Sequence, residues 1–259
     1  MRLAALGARR FKLVSLLTVR RKERSMKRAI MAAVLITFAT GSLLWAGGVD
    51  MQKFVQETQK LDRGPNSFRF VWWIPTEYWK ESFRNNPNLT EDQKKTLIRA
   101  VEDYIVFCVI DGKTTQLGSV VPASRDEIVS KFSLAIGQGK QMKPLPDAEV
   151  SSDTKNLFAM MKPVIANMLG QFGQGMEFIC FQGVDSKGKR LLDPVGNVSF
   201  SATLGAATFN WRLPLGSLLP PKYDSLTGEM FPGNYIYNPF TGSKLISIPS
   251  NKVIDSDKK

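Results

Sequence analysis

The run Phe68-Arg69-Phe70-Val71-Trp72-Trp73-Ile74 is rich in aromatic and β-branched residues, and Pro75 follows it directly. Such residues are typical of β-strands, and proline interrupts strand pairing because it has no backbone N–H to donate. We therefore predict a strand over residues 68–74. The remaining elements can be predicted outward from it in both directions.

On the C-terminal side, the next signals predict a helix followed by a hairpin. Thr90-Glu91-Asp92-Gln93 has the spacing of a capping box and precedes apolar residues at helical intervals, so a helix is expected over about 91–102. Residues 104–110 are continuously apolar and predict a strand. Asp111-Gly112 is a turn signal, which predicts that residues 114–121 form the returning strand.

A second capping box, Ser124-Arg125-Asp126-Glu127, predicts another helix whose apolar residues include Phe132. Apolar residues from Leu157 to Phe172 recur at helical spacing, which predicts an amphipathic helix that Pro163 should kink or divide. Further strands are predicted over residues 176–182, 198–203 and 208–213. Because no sustained strand–helix–strand alternation occurs, we predict an α+β fold, a mostly antiparallel sheet with about three helices and a small C-terminal β-hairpin.

The N-terminal part of the chain has the pattern of an export signal. Lys27 and Arg28 precede an uncharged run over residues 29–45, and the small residues Ala46-Gly47-Gly48 follow it. We predict a leader over residues 1–48, with Met26 as the natural start, and export to the periplasm or cell envelope. The leader is either a cleaved signal peptide or a single inner-membrane anchor, since the run approaches the length of a membrane-spanning helix.

The net charge of +12 belongs mainly to this leader. Of 35 Lys and Arg residues, ten lie within residues 1–46 together with one of 23 acidic residues, so the remainder has 25 basic and 22 acidic residues. A nearly balanced body has no electrostatic surface for a phosphate backbone. We therefore expect no nucleic-acid partner.

Several chemistries are excluded by composition. The chain contains no histidine, which rules out imidazole-based nucleophile activation and histidine-ligated metals. Its two cysteines, Cys108 and Cys180, are either buried thiols or a disulfide, and they are too few for a cysteine-rich zinc site. We assign no catalytic, cofactor-binding or metal-ligating residue and expect no cofactor.

Two short motif matches are better explained by local structure. Gly183 to Arg190 approaches the phosphate-binding loop, but Arg190 replaces the hydroxyl residue that would hold magnesium, so a solvated hairpin turn is predicted. Ser152-Asp153-Thr154-Lys155 has the S-x-x-K spacing of some serine hydrolases. We interpret Ser152 or Asp153 as the cap of the following helix.

The C-terminal segment contains two similar turns, Asp224-Ser225-Leu226-Thr227-Gly228 and Asn238-Pro239-Phe240-Thr241-Gly242. Each begins with Asp or Asn and ends with glycine, as in tight turns whose last residue has positive φ. Over residues 222–245 this pattern resembles a degenerate, cysteine-less zinc ribbon. The resemblance places Asp224, Thr227, Asn238 and Thr241 at the ligand positions, and since none offers thiolate or imidazole we predict that no zinc binds.

These signals predict the following division of the chain: leader 1–48, linker 49–65, α+β body 66–219, zinc-ribbon-like hairpin 220–246 and polar tail 247–259. The body resembles only the broad class of exported bacterial proteins. The aromatic group of Trp72, Trp73, Tyr78 and Trp79 either fills the interior or forms a contact surface, and any binding surface should involve it.

We therefore predict a non-catalytic binding or structural module for a protein or glycan of the cell envelope. The alternative is a histidine-free hydrolase that uses two of the carboxylates Glu77, Glu102, Asp103, Asp111 and Glu177.

Overall fold

The structure is a computed structural model that describes residues 49–84, 86–115, 119–139 and 141–247. The predicted leader, residues 1–48, and residues 248–259 of the predicted tail lie outside this described part. Export, signal cleavage and membrane anchoring therefore remain predictions from the sequence.

The fold is α+β, as predicted, with five α-helices in the described residues instead of about three. The helices are α1 Met51–Thr58, α2 Thr76–Arg84, α3 Glu91–Glu102, α4 Arg125–Lys131 and α5 Ser152–Met168. Both predicted capping boxes are present, with Thr90 and Gln93 at α3 and with Ser124 and Glu127 at α4. The helix α5 contains Pro163 and continues past it as one element.

The strands form antiparallel sheets, and the strands predicted over residues 68–74, 104–110, 176–182, 198–203 and 208–213 are confirmed. Among the described residues, the returning strand predicted over 114–121 begins only at Val120. The strands are β1 Gln59–Gly64, β2 Ser67–Ile74, β3 Tyr104–Thr114, β4 Val120–Pro122, β5 Phe132–Ile136, β6 Glu177–Gln182, β7 Phe200–Leu204, β8 Ala207–Trp211, β9 Lys222–Tyr223, β10 Met230–Phe231 and β11 Ile246–Ser247. The strand β5 was not predicted. Phe132, which the spacing placed on the second helix, begins it directly after α4 ends.

The main sheet has the order β1-β2-β3, and the long strand β3 pairs on its other side with both β4 and β6. A second sheet has the order β5-β7-β8. Because successive strand residues point to opposite faces, the two tryptophans of β2 face different partners. Trp73 packs on Phe200 of the second sheet at 4.7 Å between ring centroids, and Trp72 packs on Tyr78 of α2 at 5.1 Å.

The core therefore lies in two layers, one between the sheets and one between the main sheet and its helices. Between the sheets, Phe107 of β3 packs on Phe132 and Trp211, with ring centroids 5.4 and 5.9 Å apart. On the helical side, Phe158 of α5 stacks on Phe178 of β6 at 4.4 Å. Aromatic pairs at such separations stabilise a core beyond the area they bury.

The prediction of a linker at residues 49–65 was wrong. Phe54 of α1 is fully buried, and β1 pairs with β2 from Gln59 to Gly64. Thr58 joins the two layers, since its hydroxyl accepts a hydrogen bond from Trp72 Nε1 and its carbonyl accepts one from Trp211 Nε1. The segment looks like a linker in sequence because β1 is an edge strand, and edge strands carry charged residues that prevent further pairing.

The predicted turn at Asp111-Gly112 was also wrong, because β3 continues through both residues to Thr114. Asp111 pairs with Arg69 across the sheet, with Oδ1 3.4 Å from Nε. At Gly112 a Cβ atom would lie 2.5 Å from Val120 Cγ1 and 2.9 Å from the Val121 carbonyl oxygen. This glycine permits the close approach of β4. Glycine therefore occurs not only in turns but also inside strands where a neighbouring chain segment comes close.

Candidate functional site

The predicted aromatic contact surface lies inside the protein. Trp72, Trp73, Tyr78 and Trp79 are between 0 and 3% exposed. They come from a central strand and from the helix that covers it, so both faces of the strand are filled by other elements. The prediction that these residues form a binding surface was therefore wrong, and they are core residues.

The loop that approaches a phosphate-binding motif is a tight turn, as predicted. Asp185 Oδ1 accepts hydrogen bonds from the backbone N–H groups of Lys187 and Lys189, and Gly188 has a φ of 74°. Arg190 leaves the turn and makes two hydrogen bonds to the Glu77 carboxylate, at 2.6 and 3.1 Å. The hydrogen bonds between Arg190 and Glu77 therefore join this turn to α2.

The carboxylates of the alternative, hydrolytic hypothesis are paired or exposed. Burial alone would raise the pKa of Glu77, but the hydrogen bonds and the charge of Arg190 lower it below its ordinary value. Glu177 lies 2.6 Å from Lys162, and Asp111 is paired with Arg69 as above. A carboxyl with a lowered pKa is a poor proton donor at neutral pH, so Glu77 does not suit the role of a general acid.

The S-x-x-K segment forms the start of α5. The N-cap of this helix is Ser151, which directly precedes Ser152, the first of the two predicted cap residues. The Ser151 hydroxyl accepts a hydrogen bond from Thr154 N, while Lys155 Nζ donates to the Asp147 carbonyl. The lysine is thus engaged away from the serine of the motif, Ser152. The arrangement is that of a capped helix.

Cys108 and Cys180 are free, buried thiols on neighbouring strands. Cys108 pairs with Phe178 and Cys180 with Val106, so the two thiols are diagonal neighbours on one face of the sheet. Burial raises the pKa of both, that of Cys180 to about 12. Because the thiolate is the reactive form, these thiols are chemically inert in the folded protein.

The C-terminal segment folds into a separate small module, which we call the double knuckle and define as residues 222–247. Its sheet has the order β10-β9-β11. The first knuckle runs from Asp224 to Gly228 and the second from Asn238 to Gly242. In each, the glycine N–H donates to the carbonyl of the first residue, at 2.8 and 2.9 Å, and the glycine φ is 74° or 73°.

The side chains at the heads of the two knuckles bond to each other. Asp224 Oδ2 accepts hydrogen bonds from Asn238 Nδ2 at 2.6 Å, from Thr241 Oγ1 at 3.2 Å and from the Ser243 hydroxyl. These bonds, from Ser243 first and Asn238 second, hold the pKa of Asp224 far below its ordinary value. Asp224 is fully buried.

Three of the four zinc-ribbon-like positions therefore meet, and the fourth does not. Thr227 turns away and accepts a hydrogen bond from the Glu229 N–H at 3.3 Å. The described residues contain no group of three or more His, Cys, Asp or Glu that could hold a metal ion. A carboxylate–amide hydrogen bond between Asp224 and Asn238 joins the knuckles, and the predicted lack of zinc binding remains open to elemental analysis.

The tips of the double knuckle carry exposed apolar side chains, a feature that the sequence reasoning missed. Of the twelve large hydrophobic residues that are exposed in the described chain, seven lie between residues 226 and 246. Leu226 and Phe240 occupy the same third position of each knuckle and are 80% and 85% exposed. We define the knuckle surface as Leu226, Met230, Tyr235, Ile236, Tyr237, Phe240 and Ile246.

The double knuckle is fixed to the body through residues 213–221. The Glu57 carboxylate of α1 accepts hydrogen bonds from the backbone N–H groups of Gly216 and Ser217, at 2.9 and 3.0 Å. Asn234 Nδ2 donates to the Pro214 carbonyl at 3.1 Å. The connection is hydrogen-bonded to α1 of the body and to Asn234 of the double knuckle. These bonds fix the orientation of the knuckle surface relative to the body.

No family model, curated protein or solved structure matches this chain. Among the residues that the structure describes, no helix is both long enough and apolar enough to cross a membrane. The assignment of function therefore depends on the geometry and chemistry given above.

Proposed function

We propose that the protein is a non-catalytic binding module of the cell envelope and that the knuckle surface is its contact site. The observation that carries this proposal is the concentration of exposed apolar residues between positions 226 and 246. Clusters of exposed hydrophobic side chains mark interaction sites, whereas single ones are normal on any surface. The proposed contact site is thus the knuckle surface and not the aromatic group at Trp72 to Trp79, which is buried.

Energetics support a contact role for the two tips. Leu226 and Phe240 contribute little to the fold, since most of each side chain is exposed to water. Full burial of one such side chain against a partner contributes about 1.5–3 kcal/mol. Two such tips contribute about 3–6 kcal/mol together, so a specific affinity also needs the other residues of the knuckle surface.

The chemistry of the chain supports a non-catalytic role. Histidine is absent from the sequence, the two thiols are buried, and Glu77 forms a two-fold hydrogen-bonded pair with Arg190. The hydrolytic alternative needs a carboxyl that stays protonated near neutral pH. The lowered pKa of Glu77 argues against that alternative.

The sequence supports a place in the envelope. The charged, uncharged and small-residue regions of the leader occur in the order of an export signal. Both versions of this proposal, a cleaved periplasmic form and an anchored form, leave the body outside the cytoplasm. The contact site would then meet partners in the periplasm or at a membrane surface.

Photo-crosslinking in the producing cells tests this function. Benzoylphenylalanine replaces Phe240 in the full chain, and replaces the exposed Met168 of α5 as the control. We expect adducts at position 240 in clear excess over position 168, with the attached molecule identified by mass spectrometry. Equal, low adduct formation at the two positions would contradict a contact role for the knuckle surface.

A further inference from the structure

Several backbone donors at the two tips are already bonded inside the double knuckle. Leu226 N donates to Asp224 Oδ1 and Phe240 N donates to Asn238 Oδ1, both at 2.9 Å. The glycine N–H groups donate to the carbonyls of the same two head residues. An N–H group without a partner is costly in an apolar layer, so these bonds lower the cost of moving the turns out of water.

The shape of the tips suits a deformable partner. Side chains that are 80% and 85% exposed touch little of their own protein and therefore protrude. A protein partner would need two pockets that match this spacing, whereas a lipid layer accepts protruding side chains of any arrangement. Two protruding apolar side chains therefore favour a bilayer.

The residues behind the tips have the chemistry of a membrane interface. Tyr235 and Tyr237 are exposed on the segment between the knuckles. Lys222 Nζ donates to the Tyr235 carbonyl at 2.7 Å, and Lys244 forms a β-bridge with Tyr237. Tyrosine favours the headgroup region, and lysine stems cover apolar surface while their charges stay in water.

The sequence brings the body close to a membrane when the leader is retained. The uncharged run ends at Trp45, and α1 begins at Met51, six residues later. Six extended residues span at most about 20 Å. Since Glu57 of α1 holds the connection at Gly216 and Ser217, the double knuckle is attached to the first helix that follows the leader.

We propose that the knuckle surface docks on a phospholipid bilayer and inserts Leu226 and Phe240 into its interfacial layer. This inference rests on the proposed function, because it names the partner of the same contact site. The two tyrosines lie at headgroup level, and the lysines face the lipid phosphates. In the anchored form the body is thereby held at two points, by its leader and by the knuckle surface.

Fluorescence quenching by lipid tests the inference on the full chain. The protein is reconstituted into vesicles of phosphatidylcholine and phosphatidylglycerol whose acyl chains carry bromine. The variant is Phe240→Trp and the control is Met168→Trp, with the emission of the unchanged protein subtracted from both. The described native tryptophans, Trp72, Trp73, Trp79 and Trp211, are 0 to 3% exposed, so their emission forms a constant background, and Trp45 of the leader is replaced by Phe in every protein compared.

We expect the indole at position 240 to emit at shorter wavelength and to be quenched by brominated lipid, while the indole at position 168 is not. Adding Leu226→Ser should lower the insertion equilibrium constant about tenfold, which corresponds to about 1.4 kcal/mol for one lost apolar side chain. The melting temperature of this exposed-site variant should stay unchanged, which separates lost insertion from unfolding.

Two results would overturn the inference. The first is identical, unquenched emission at positions 240 and 168. The second is a shift at position 240 that appears in detergent without bilayer and grows with protein concentration, since this would show a second copy of the chain on the surface. If quenching is absent but photo-adducts with a protein form at position 240, the bilayer inference fails and the proposed function stands. If both are absent, both fail.

Discussion

At the scale of single residues, Asp224 determines whether the double knuckle stays closed. Its carboxylate is buried, and its hydrogen-bond donors among the described residues are neutral: Leu226 N, Asn238, Thr241 and Ser243. Such donors favour the charged form of a carboxyl group. Because one carboxylate connects the two knuckles, its protonation or replacement should open the module without unfolding the body.

The first prediction concerns the pH dependence of this module. The folded pKa of Asp224 lies below its ordinary value of 3.8, so its contribution to stability is complete above that pH and is lost as pH falls through the folded pKa. In the variant Asp224→Asn the module should already be loosened at neutral pH and should show no further acid transition of its own. The readout is hydrogen exchange at the amides of Gly228 and Gly242.

The matched control is Asp153→Asn, an exposed aspartate in the first turn of α5. It should leave exchange in the double knuckle unchanged. Protection of both glycine amides in Asp224→Asn equal to that of the unchanged protein would show that the carboxylate does not hold the knuckles together.

At the scale of elements, local chemistry predicted most of the fold. The helices α3 and α4 were predicted because their capping residues act within four positions of sequence. The strands β2 and β3 were predicted because both faces are covered over residues 70–74 and 105–110, which makes these stretches continuously apolar. The strand β1 was missed because its polar residues depend on its being an edge, which only the assembled sheet defines.

The presence of a glycine did not by itself distinguish a turn from a strand. Gly228 and Gly242 end their knuckles with positive φ, as predicted. Gly112 follows Asp111, which is also typical of a turn, but it lies inside β3. Val120 of the neighbouring strand lies too close to this position for a residue with a Cβ atom. The sequence shows that a glycine is present but not which of these two needs it serves.

The second prediction tests the role of Gly112. The variant Gly112→Ala should lower the free energy of unfolding by about 1–3 kcal/mol, because the new methyl group overlaps Val120. Urea denaturation measures the change. Adding Val120→Ala should recover part of the loss, with the close Val121 carbonyl oxygen preventing full recovery.

The single variant Val120→Ala completes the double-mutant cycle and measures the cost of that truncation alone. A coupling energy near zero between the two substitutions would contradict the packing account of Gly112.

At the scale of the whole molecule, the sequence predicted the class of the fold but placed the expected contact surface on residues that lie in the core. The aromatic group at Trp72 to Trp79 drew attention because such residues dominate binding sites as well as cores. Burial decides between these roles, and the burial of Trp73 depends on Phe200 of the second sheet, which is distant in sequence. Leu226 and Phe240 were predicted only as members of the two turns. An apolar side chain at the same position of two polar turns was the sequence feature that could have indicated the exposed tips.

Labelling of introduced cysteines in cells is the most direct test that the knuckle surface is a covered contact site of an exported protein. Phe240→Cys is compared with Met168→Cys, using a membrane-impermeant maleimide on cells with a permeabilised outer layer and on the purified full chain. The native thiols do not interfere, because Cys108 and Cys180 are buried. We expect position 168 to react in both preparations and position 240 to react only after purification. Equal labelling of both positions in cells would contradict a covered knuckle surface, and no labelling of either would contradict export.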